Sequence, residues 1–368
     1  MKYYLLLLFA FWINGYTFAQ TQDTIRFENL IGIIKIPVQI NDKVHYFMFD
    51  TGAEVTAIRE DVAAGLDKTG SSRKRLKDSM DKVSIQTKFV VPSLKIGNSD
   101  LSNQTIYTFP NTPLFNCSGF EGIIGIDIIK QFDWLIDFDK LYIVKTDPSD
   151  TAGRFDDFVA LDFYKTKFRP MIKLKIGNKT VDFLFDSGAS TSGIDKKSYR
   201  KIRNEIIKSY DEISSVSGAN TSDQQSKESF FLVTAHPYNS DSINHPAMFS
   251  TISVGENKIG NDFWGHNQLF LSWPKGKLLY RTVNTEKKKT FGISFRIKDE
   301  SMVVTSLVYT EQIIRSGVKT GDTVKTINGK SYEDYCELLM YQLLTKENIY
   351  NIELQDGKQF TLKKENLY

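Results

Sequence analysis

The chain has 368 residues, which is enough for two or three domains of about 150 residues each. Apolar residues make up 41% and charged residues 25%, a composition that excludes disordered and collagen-like proteins. A net charge of +3 does not supply the concentrated basic face of nucleic-acid proteins, so we expect no nucleic-acid partner. Aromatic residues reach 13% and favour strands, because their side chains suit a half-buried pleated surface.

Residues 1–19 have the pattern of a signal peptide. Lys2 supplies a positive charge, residues 3–12 form an apolar run, and Thr17 and Ala19 are small residues before the expected cleavage point. A membrane anchor is the alternative, but the run is shorter than the roughly 20 apolar residues that span a bilayer. We therefore expect an exported protein, periplasmic or extracellular, with no integral membrane segment after cleavage.

Two copies of one pattern organise the middle of the chain. Residues 38–53 and 174–189 both read as a β-hairpin that ends on Asp-Thr-Gly-Ala or Asp-Ser-Gly-Ala, 136 positions apart. The segments 124–128 and 259–263, each with an Ile-Gly pair, repeat at an offset of 135. An aromatic-rich strand pair follows each of these segments.

This repeat predicts two lobes, residues 20–146 and 153–282, and residues 146–153 between them are predicted to be a linker. Residues 70–82 and 211–229 lie in the middle of the lobes and are polar. They are predicted to be loops, either simply solvated or serving as mobile covers over a cleft.

The candidate catalytic residues are Asp50 and Asp186, which follow the apolar Phe-x-Phe ends of matched strands. If the two turns meet on a pseudo-twofold axis, two close carboxyl groups cannot both ionise cheaply, so they share a proton. One can then act as a general base on water while the other acts as a general acid towards a carbonyl. This chemistry hydrolyses amides without a metal or a cofactor, and we expect neither.

The residues after each aspartate support this interpretation. Gly52 and Gly188 permit a tight turn and a close backbone approach, and the hydroxyl groups of Thr51 and Ser187 can bond backbone across an interface.

In these residues the chain resembles the retropepsin-like aspartic proteases, over roughly residues 25–282. The resemblance implies that Asp50 and Asp186 activate water and that the hydroxyl residues Thr51 and Ser187 brace the facing loops. It also implies that Gly125 and Gly260 pack behind the two turns. Asn261 stands where the first copy has Ile126, and no consequence is expected from this difference.

Residues 290–368 predict a small α+β domain. Strands are expected at 302–308, 324–327, 350–354 and 360–362, with helices near 311–318 and 332–345. This part resembles a PDZ domain of the bacterial protease-associated type. The resemblance implies that Phe291, Gly292 and Ile293 bind a peptide carboxyl terminus and that the peptide extends a sheet edge. A packing domain without a peptide ligand is the alternative.

Other chemistries find no support in the sequence. The four histidines lack metal-ligand spacing, and no nucleophile elbow or phosphate loop is present. Cys117 and Cys336 fall in different predicted domains, so a disulfide between them is not expected.

The sequence thus predicts a mainly β protein with two pseudo-twofold-related acid-protease β-barrel lobes and a PDZ-like domain. The expected function is that of an exported aspartic-type endopeptidase acting on polypeptides. A catalytically inactive peptide-binding protein with the same fold is the main alternative, and a structural module assembled through the PDZ-like domain is a third.

Overall fold

The computed structural model describes residues 23–30, 32–77, 82–146, 155–166, 168–218, 221–238, 245–252, 255–265, 267–283 and 289–366. The predicted signal peptide and most of the linker between the two predicted lobes lie outside these residues. The described chain is mainly β. It has three parts: the first repeat (residues 23–146), the second repeat (residues 155–283) and the C-terminal segment (residues 289–366).

The first repeat contains eleven described strands and three short helices. The strands are β1 Asp23–Arg26, β2 Glu28–Leu30, β3 Ile33–Ile40, β4 Lys43–Phe49, β5 Ala57–Arg59, β6 Thr69–Lys77, β7 Val83–Ile96, β8 Ser99–Phe109, β9 Gly122–Ile124, β10 Asp133–Asp137 and β11 Tyr142–Thr146; the helices are α1 Glu60–Ala63, α2 Pro113–Ser118 and α3 Ile126–Ile129.

The second repeat contains ten described strands, two helices and a 3₁₀ turn at Arg203–Glu205. The strands are β12 Val159–Thr166, β13 Arg169–Ile176, β14 Lys179–Phe185, β15 Gly193–Asp195, β16 Lys208–Gly218, β17 Thr221–Pro237, β18 His245–Ile252, β19 Lys258–Ile259, β20 Gln268–Ser272 and β21 Lys277–Arg281; the helices are α4 Lys196–Ile202 and α5 Asn261–Trp264.

The C-terminal segment contains seven described strands and two helices. They are β22 Lys289–Thr290, β23 Ile293–Lys298, β24 Ser301–Val308, α6 Glu311–Ser316, β25 Val324–Ile327, α7 Tyr335–Leu344, β26 Ile349–Leu354, β27 Gln359–Lys363 and β28 Glu365–Asn366. The strands and helices predicted for this segment are confirmed to within a few residues at their ends.

The predicted hairpins before the two aspartates are confirmed. Strand β3 pairs antiparallel with β4 through a turn in which Asn41 has φ 52°, and β13 pairs with β14 through Gly177 at φ 53°. A positive φ suits Asn and Gly, because other side chains clash with the backbone there. Each hairpin ends on a fully buried phenylalanine, Phe49 or Phe185.

The two repeats have the same strand pairing. Strand β4 runs parallel to β9, which is antiparallel to β5, and β5 is parallel to β8. In the second repeat β14, β19, β15 and β18 pair in the same order and the same directions. The chain therefore leaves β4 and β14 at equivalent places, directly before Asp50 and Asp186.

One sheet joins the repeats. Strand β10 pairs antiparallel with β20, and β11 and β21 extend this sheet on either side. The main hydrophobic core draws buried residues from both repeats, including edge-to-face pairs of Phe49 with Trp134 and of Phe185 with Trp264. Shared burial of this kind holds the two aspartate turns in a fixed relation.

The two polar middle segments are strands, not the loops predicted from their composition. Residues 70–77 belong to β6, which pairs with β7, and most of residues 211–229 belong to β16 and β17. Cross-strand hydrogen bonds satisfy the backbone whatever the side chains are, so a solvated hairpin tolerates the polar composition that predicted a loop.

The C-terminal segment has its own core and contacts both repeats. Strand β24 pairs with β16 of the second repeat, matching Val308 with Glu212 and Leu307 with Ile213. On the other side, Cys117 of α2 forms a disulfide with Cys336 of α7, with the two Cα atoms 4.9 Å apart. The expectation of no disulfide is therefore wrong, because the fold brings together two residues 219 positions apart.

None of the helices in the described ranges is long and apolar enough to cross a membrane.

Candidate active site

Asp50 and Asp186 are held by equivalent backbone hydrogen bonds. The Asp50 N–H donates to the carbonyl of Ile124 at 3.0 Å, and the Asp186 N–H donates to the carbonyl of Ile259 at 3.0 Å. The two acceptors are the last residues of β9 and β19. Each aspartate is thus fixed where its own strand ends beside the Ile-Gly strand of the same repeat.

Four hydrogen bonds lock the two turns to each other. The Thr51 N–H donates to Ser187 Oγ and the Ser187 N–H donates to Thr51 Oγ1, both at 3.0 Å. The hydroxyl groups then donate across the interface, Thr51 Oγ1 to the Phe185 carbonyl at 2.6 Å and Ser187 Oγ to the Phe49 carbonyl at 2.7 Å. Both side chains are buried, so water does not compete for these bonds.

The glycines after the hydroxyl residues let the carboxyl groups approach. A Cβ atom on Gly52 would lie 2.6 Å from Asp186 Oδ1, and one on Gly188 would clash with the Asp50 carboxyl group. The Gly52 and Ala53 N–H groups donate to Asp50 Oδ1 at 2.8 and 3.1 Å, and the Gly188 N–H donates to Asp186 Oδ1 at 3.1 Å. No residue larger than glycine fits at either position without displacing a carboxyl group.

The electrostatics of the pair favour one shared proton. Burial, the charge of Asp186 and a hydrogen bond to its side chain raise the pKa of Asp50 from 3.8 to about 8, against the opposing effect of the Gly52 and Ala53 N–H groups. Asp50 is therefore protonated at neutral pH and hydrogen-bonded to the carboxyl group of Asp186. An acid and a carboxylate in contact can together donate and accept a proton.

Gly125 and Gly260 lie behind the turns, where the resemblance places them. A Cβ atom on Gly125 would lie 2.5 Å from the Val55 carbonyl group, and one on Gly260 would lie 2.6 Å from that of Thr191. The N–H groups of these glycines donate to Thr56 Oγ1 and Ser192 Oγ at 3.1 and 3.0 Å.

A second layer of paired residues was missed in the sequence. Thr56 Oγ1 donates to Asp127 Oδ1 at 2.8 Å, and Ser192 Oγ donates to Asp262 Oδ1 at 2.7 Å. Burial raises the pKa of Asp127, against hydrogen bonds from Thr56 and Ile128. The repeat carried the signal, because each hydroxyl residue stands six positions after its predicted catalytic aspartate and Asp127 and Asp262 are 135 positions apart.

The expectation that Asn261, which stands where the first repeat has Ile126, has no consequence is wrong. Its buried Nδ2 donates to the carbonyl of Gly32 and to the carbonyl of Ser187, both at 2.8 Å. A backbone bond from Asn261 to Ala189 matches the one from Ile126 to Ala53. The amide side chain therefore ties the start of β3 to the second aspartate turn, which an isoleucine cannot do.

The three residues predicted to bind a peptide end lie together at the start of β23. Phe291 and Ile293 are buried, and Phe291 stacks on Tyr350 with ring centroids 3.6 Å apart. Gly292 adopts φ 72°, and its N–H donates to Thr290 Oγ1 at 3.1 Å. This N–H is thus already bonded within the segment.

The sheet edge beside these residues is also occupied. Gln342 of α7 accepts a hydrogen bond from the Phe295 N–H at 2.8 Å and donates to the Phe295 carbonyl at 2.9 Å. These are the backbone groups with which an added strand would pair. The other side of the β23–β24 ribbon is paired with β16.

Within the described ranges, no group of three or more His, Cys, Asp or Glu side chains is arranged to hold a metal ion.

Comparisons with known protein families agree with this geometry. Residues 36–128 match the family described as aspartyl protease, and residues 166–270 match the family described as retroviral aspartyl protease. The two matches support a retropepsin-like aspartic protease, and each of them contains one of the two aspartate turns. A comparison with curated proteins gave no significant match.

Proposed function

We propose that the protein is an exported aspartic-type endopeptidase in which Asp50 and Asp186 share the catalytic work on one water molecule. The observation that carries this proposal is the reciprocal bonding of Thr51 and Ser187, which holds the two carboxyl groups in contact. The two family matches support proteolysis independently.

In the proposed reaction, Asp50 holds the proton and Asp186 is the carboxylate. Asp186 takes a proton from water as the water oxygen bonds to the carbonyl carbon, while Asp50 donates its proton to the carbonyl oxygen. The resulting tetrahedral intermediate breaks its C–N bond as the nitrogen receives the proton held by Asp186. The hydroxyl proton on carbon then returns to Asp50, which restores the starting state of the enzyme.

The proposed substrates are extended polypeptides, bound between lobes at residues 20–146 and 153–282. We take the lobes to be related by a pseudo-twofold axis, an arrangement that the identical strand pairing of the two repeats supports. Six residues support the two aspartates by hydrogen bonding or close packing: Thr51, Ser187, Gly52, Gly188, Gly125 and Gly260.

For residues 290–368 we propose a PDZ-like domain that serves mainly to connect the repeats. The bonds from Gln342 to Phe295 and the pairing of β24 with β16 favour this role over capture of peptide ends. The disulfide from Cys336 to Cys117 supports it as well. Labelled peptides with free and amidated carboxyl termini test it, since a carboxylate receptor binds only the free form.

Hydrolysis of denatured protein across acid to neutral pH tests the main proposal. We expect activity in the mature chain and its loss in Asp50→Asn and in Asp186→Asn. Asp195→Asn, at the start of α4, is the matched control and retains activity, because asparagine also caps helices. Activity that survives both active-site substitutions overturns the assignment. Peptide binding without turnover in the unaltered chain favours the inactive binding protein instead.

Export is proposed from residues 1–19 and is tested separately. The protein recovered outside the cytoplasm is expected to begin near Gln20 when its amino terminus is sequenced. Intact residues 1–19 on the recovered protein argue against cleavage.

A further inference from the structure

The surface beside each aspartate differs between the two repeats. Side chains two positions apart on a strand share a face, so Met48 lies on the face of Asp50 and Leu184 on that of Asp186. The residue paired with Met48 on the neighbouring strand is Ile123, and the residue paired with Leu184 is Lys258. The repeat thus places an isoleucine and a lysine at equivalent positions near the two carboxyl groups.

In the first repeat this surface is apolar. Met48 and Ile123 are buried in a cluster with Phe109, Phe115 and Phe120, separate from the main core. Ala57, paired with Ile123, and the partly buried Ala53, beside the aspartate turn, belong to the same cluster. Met48 and Ile123 are only 6% and 7% exposed, so an apolar side chain of a bound polypeptide meets this cluster at the partly buried Ala53 and gains free energy there by leaving water.

In the second repeat the same surface carries a positive charge. Lys258 is partly buried, and its partner on β15 is Gly193 where the first repeat has Ala57. No carboxylate among the residues that the structure describes lies within ion-pair distance of Lys258. Glu256, two positions earlier, pairs with Arg169.

The lysine of the first repeat on this face, unlike Lys258, has a carboxylate partner. Lys35 is paired with Met48 across β3 and β4, and its Nζ lies 3.2 Å from Glu28 Oε2. Its counterpart on β13, paired with Leu184, is the uncharged Met171. Among the described residues on this face, Lys258 is therefore the cation without a carboxylate partner, and its charge is open to a ligand.

We propose that Lys258 selects polypeptides with an acidic side chain on one side of the scissile bond and an apolar side chain on the other. The proposal rests on the proposed function, hydrolysis at Asp50 and Asp186. Lys258 pairs with a residue about 7 Å before Asp186 along the strand, which is two residues of an extended substrate. The acidic residue is thus expected within two positions of the bond that is cut.

Paired peptides test this selection. Each pair carries an apolar residue on one side of the bond and either Glu or its neutral isostere Gln within two positions on the other. We expect kcat/KM to be about tenfold higher for the Glu peptide, the effect of one charge-assisted hydrogen bond. In Lys258→Met the ratio of kcat/KM for the Glu peptide to that for the Gln peptide is expected to fall to about one. In Lys258→Glu we expect a peptide with Lys at this position to be cut faster than the same peptide with Met.

Lys179→Met is the matched control. It removes a positive charge from the exposed start of the same strand that leads to Asp186, and the Glu-to-Gln ratio is expected to stay unchanged. A ratio near one in the unaltered chain overturns the proposal, and so does a ratio that survives Lys258→Met. Thermal melting of each variant confirms that it is folded.

Binding separates this proposal from the proposed function. The same peptides, fluorescently labelled, are titrated into the Asp50→Asn chain, and a Glu-to-Gln difference in Kd of about tenfold is expected. A chain that never hydrolyses any peptide refutes the proteolytic assignment, while the Kd ratio still supports or refutes the role of Lys258.

Discussion

Replacing Asp50 by asparagine is expected to abolish hydrolysis and at the same time to stabilise the fold at neutral pH. Burial and the neighbouring Asp186 raise the pKa of Asp50 from 3.8 to about 8. The native state therefore keeps this group protonated at pH 7, whereas the unfolded chain releases the proton. Asparagine has the same shape, accepts from the Gly52 and Ala53 N–H groups and donates to Asp186 without needing a proton.

The size of the effect follows from proton linkage. Between the two pKa values the native state binds one proton more than the unfolded state at this site, so stability falls by about 1.4 kcal/mol for each pH unit gained. Over the interval from 3.8 to 7 this amounts to about 4 kcal/mol, a loss that the Asp50→Asn chain does not suffer. The penalty is absent below the unfolded pKa and complete above the folded one.

Urea unfolding of both chains at several pH values between 4 and 8 measures this difference. We expect the free energy of unfolding of Asp50→Asn to exceed that of the unaltered chain by an amount that grows with pH. Asp195→Asn is a control of opposite sign: burial raises the pKa of Asp195, but hydrogen bonds from Ser198 and Lys197 outweigh it and lower the pKa. A difference for Asp50→Asn that is independent of pH, or a net destabilisation at pH 7, refutes the reasoning.

Three further predictions concern the pair, the packing behind it and the disulfide. Hydrolysis is expected to fall as pH rises through about 8, because Asp50 then loses the shared proton; a pH–rate profile that stays flat to pH 10 contradicts this. Gly125→Ala is expected to lower stability and activity together, since its Cβ atom would lie 2.5 Å from Val55 backbone, while Gly65→Ala, with its nearest atom at 3.9 Å, changes the melting temperature little. Cys336→Ser is expected to lower the free energy of unfolding by up to about 5 kcal/mol, the loop-closure value for a cross-link spanning 219 residues. A reductant is expected to lower the melting temperature of the unaltered chain but not that of this variant.

Much of the fold and of the candidate site could be predicted from local sequence patterns. The hairpins before Asp50 and Asp186 follow from alternating burial and from turn residues that accept a positive φ. The candidate site was predictable because the motif occurs twice at one offset, and a repeat implies equivalent positions in space. The bracing of the facing loops by Thr51 and Ser187 was expected from the resemblance to retropepsin-like aspartic proteases, and their contact agrees with it.

What the sequence did not predict depends on contacts between distant residues. The polar composition of residues 70–77 predicted a loop, but cross-strand bonds to β7 make it a strand. The bond between Cys117 and Cys336 requires knowing that α2 and α7 pack together, and neither helix carries a local signal for that contact. The hydrogen bonds of Asn261 fall in the same class, because Gly32 lies 229 positions away.

The differences between the repeats show which properties are specific to this chain. The parts that align the carboxyl groups occur in both copies: the hydroxyl after each aspartate, the glycine beyond it, and the Thr56 and Ser192 hydroxyls on Asp127 and Asp262. The parts that differ lie around this shared frame. The proposed proton sharing requires two similar turns and therefore a symmetric frame, whereas a polypeptide substrate has a direction and would meet the two halves differently. Asymmetry on the face beside the carboxyl groups is therefore where substrate selection can be encoded, and the exchange of Ile123 for Lys258 is such an asymmetry.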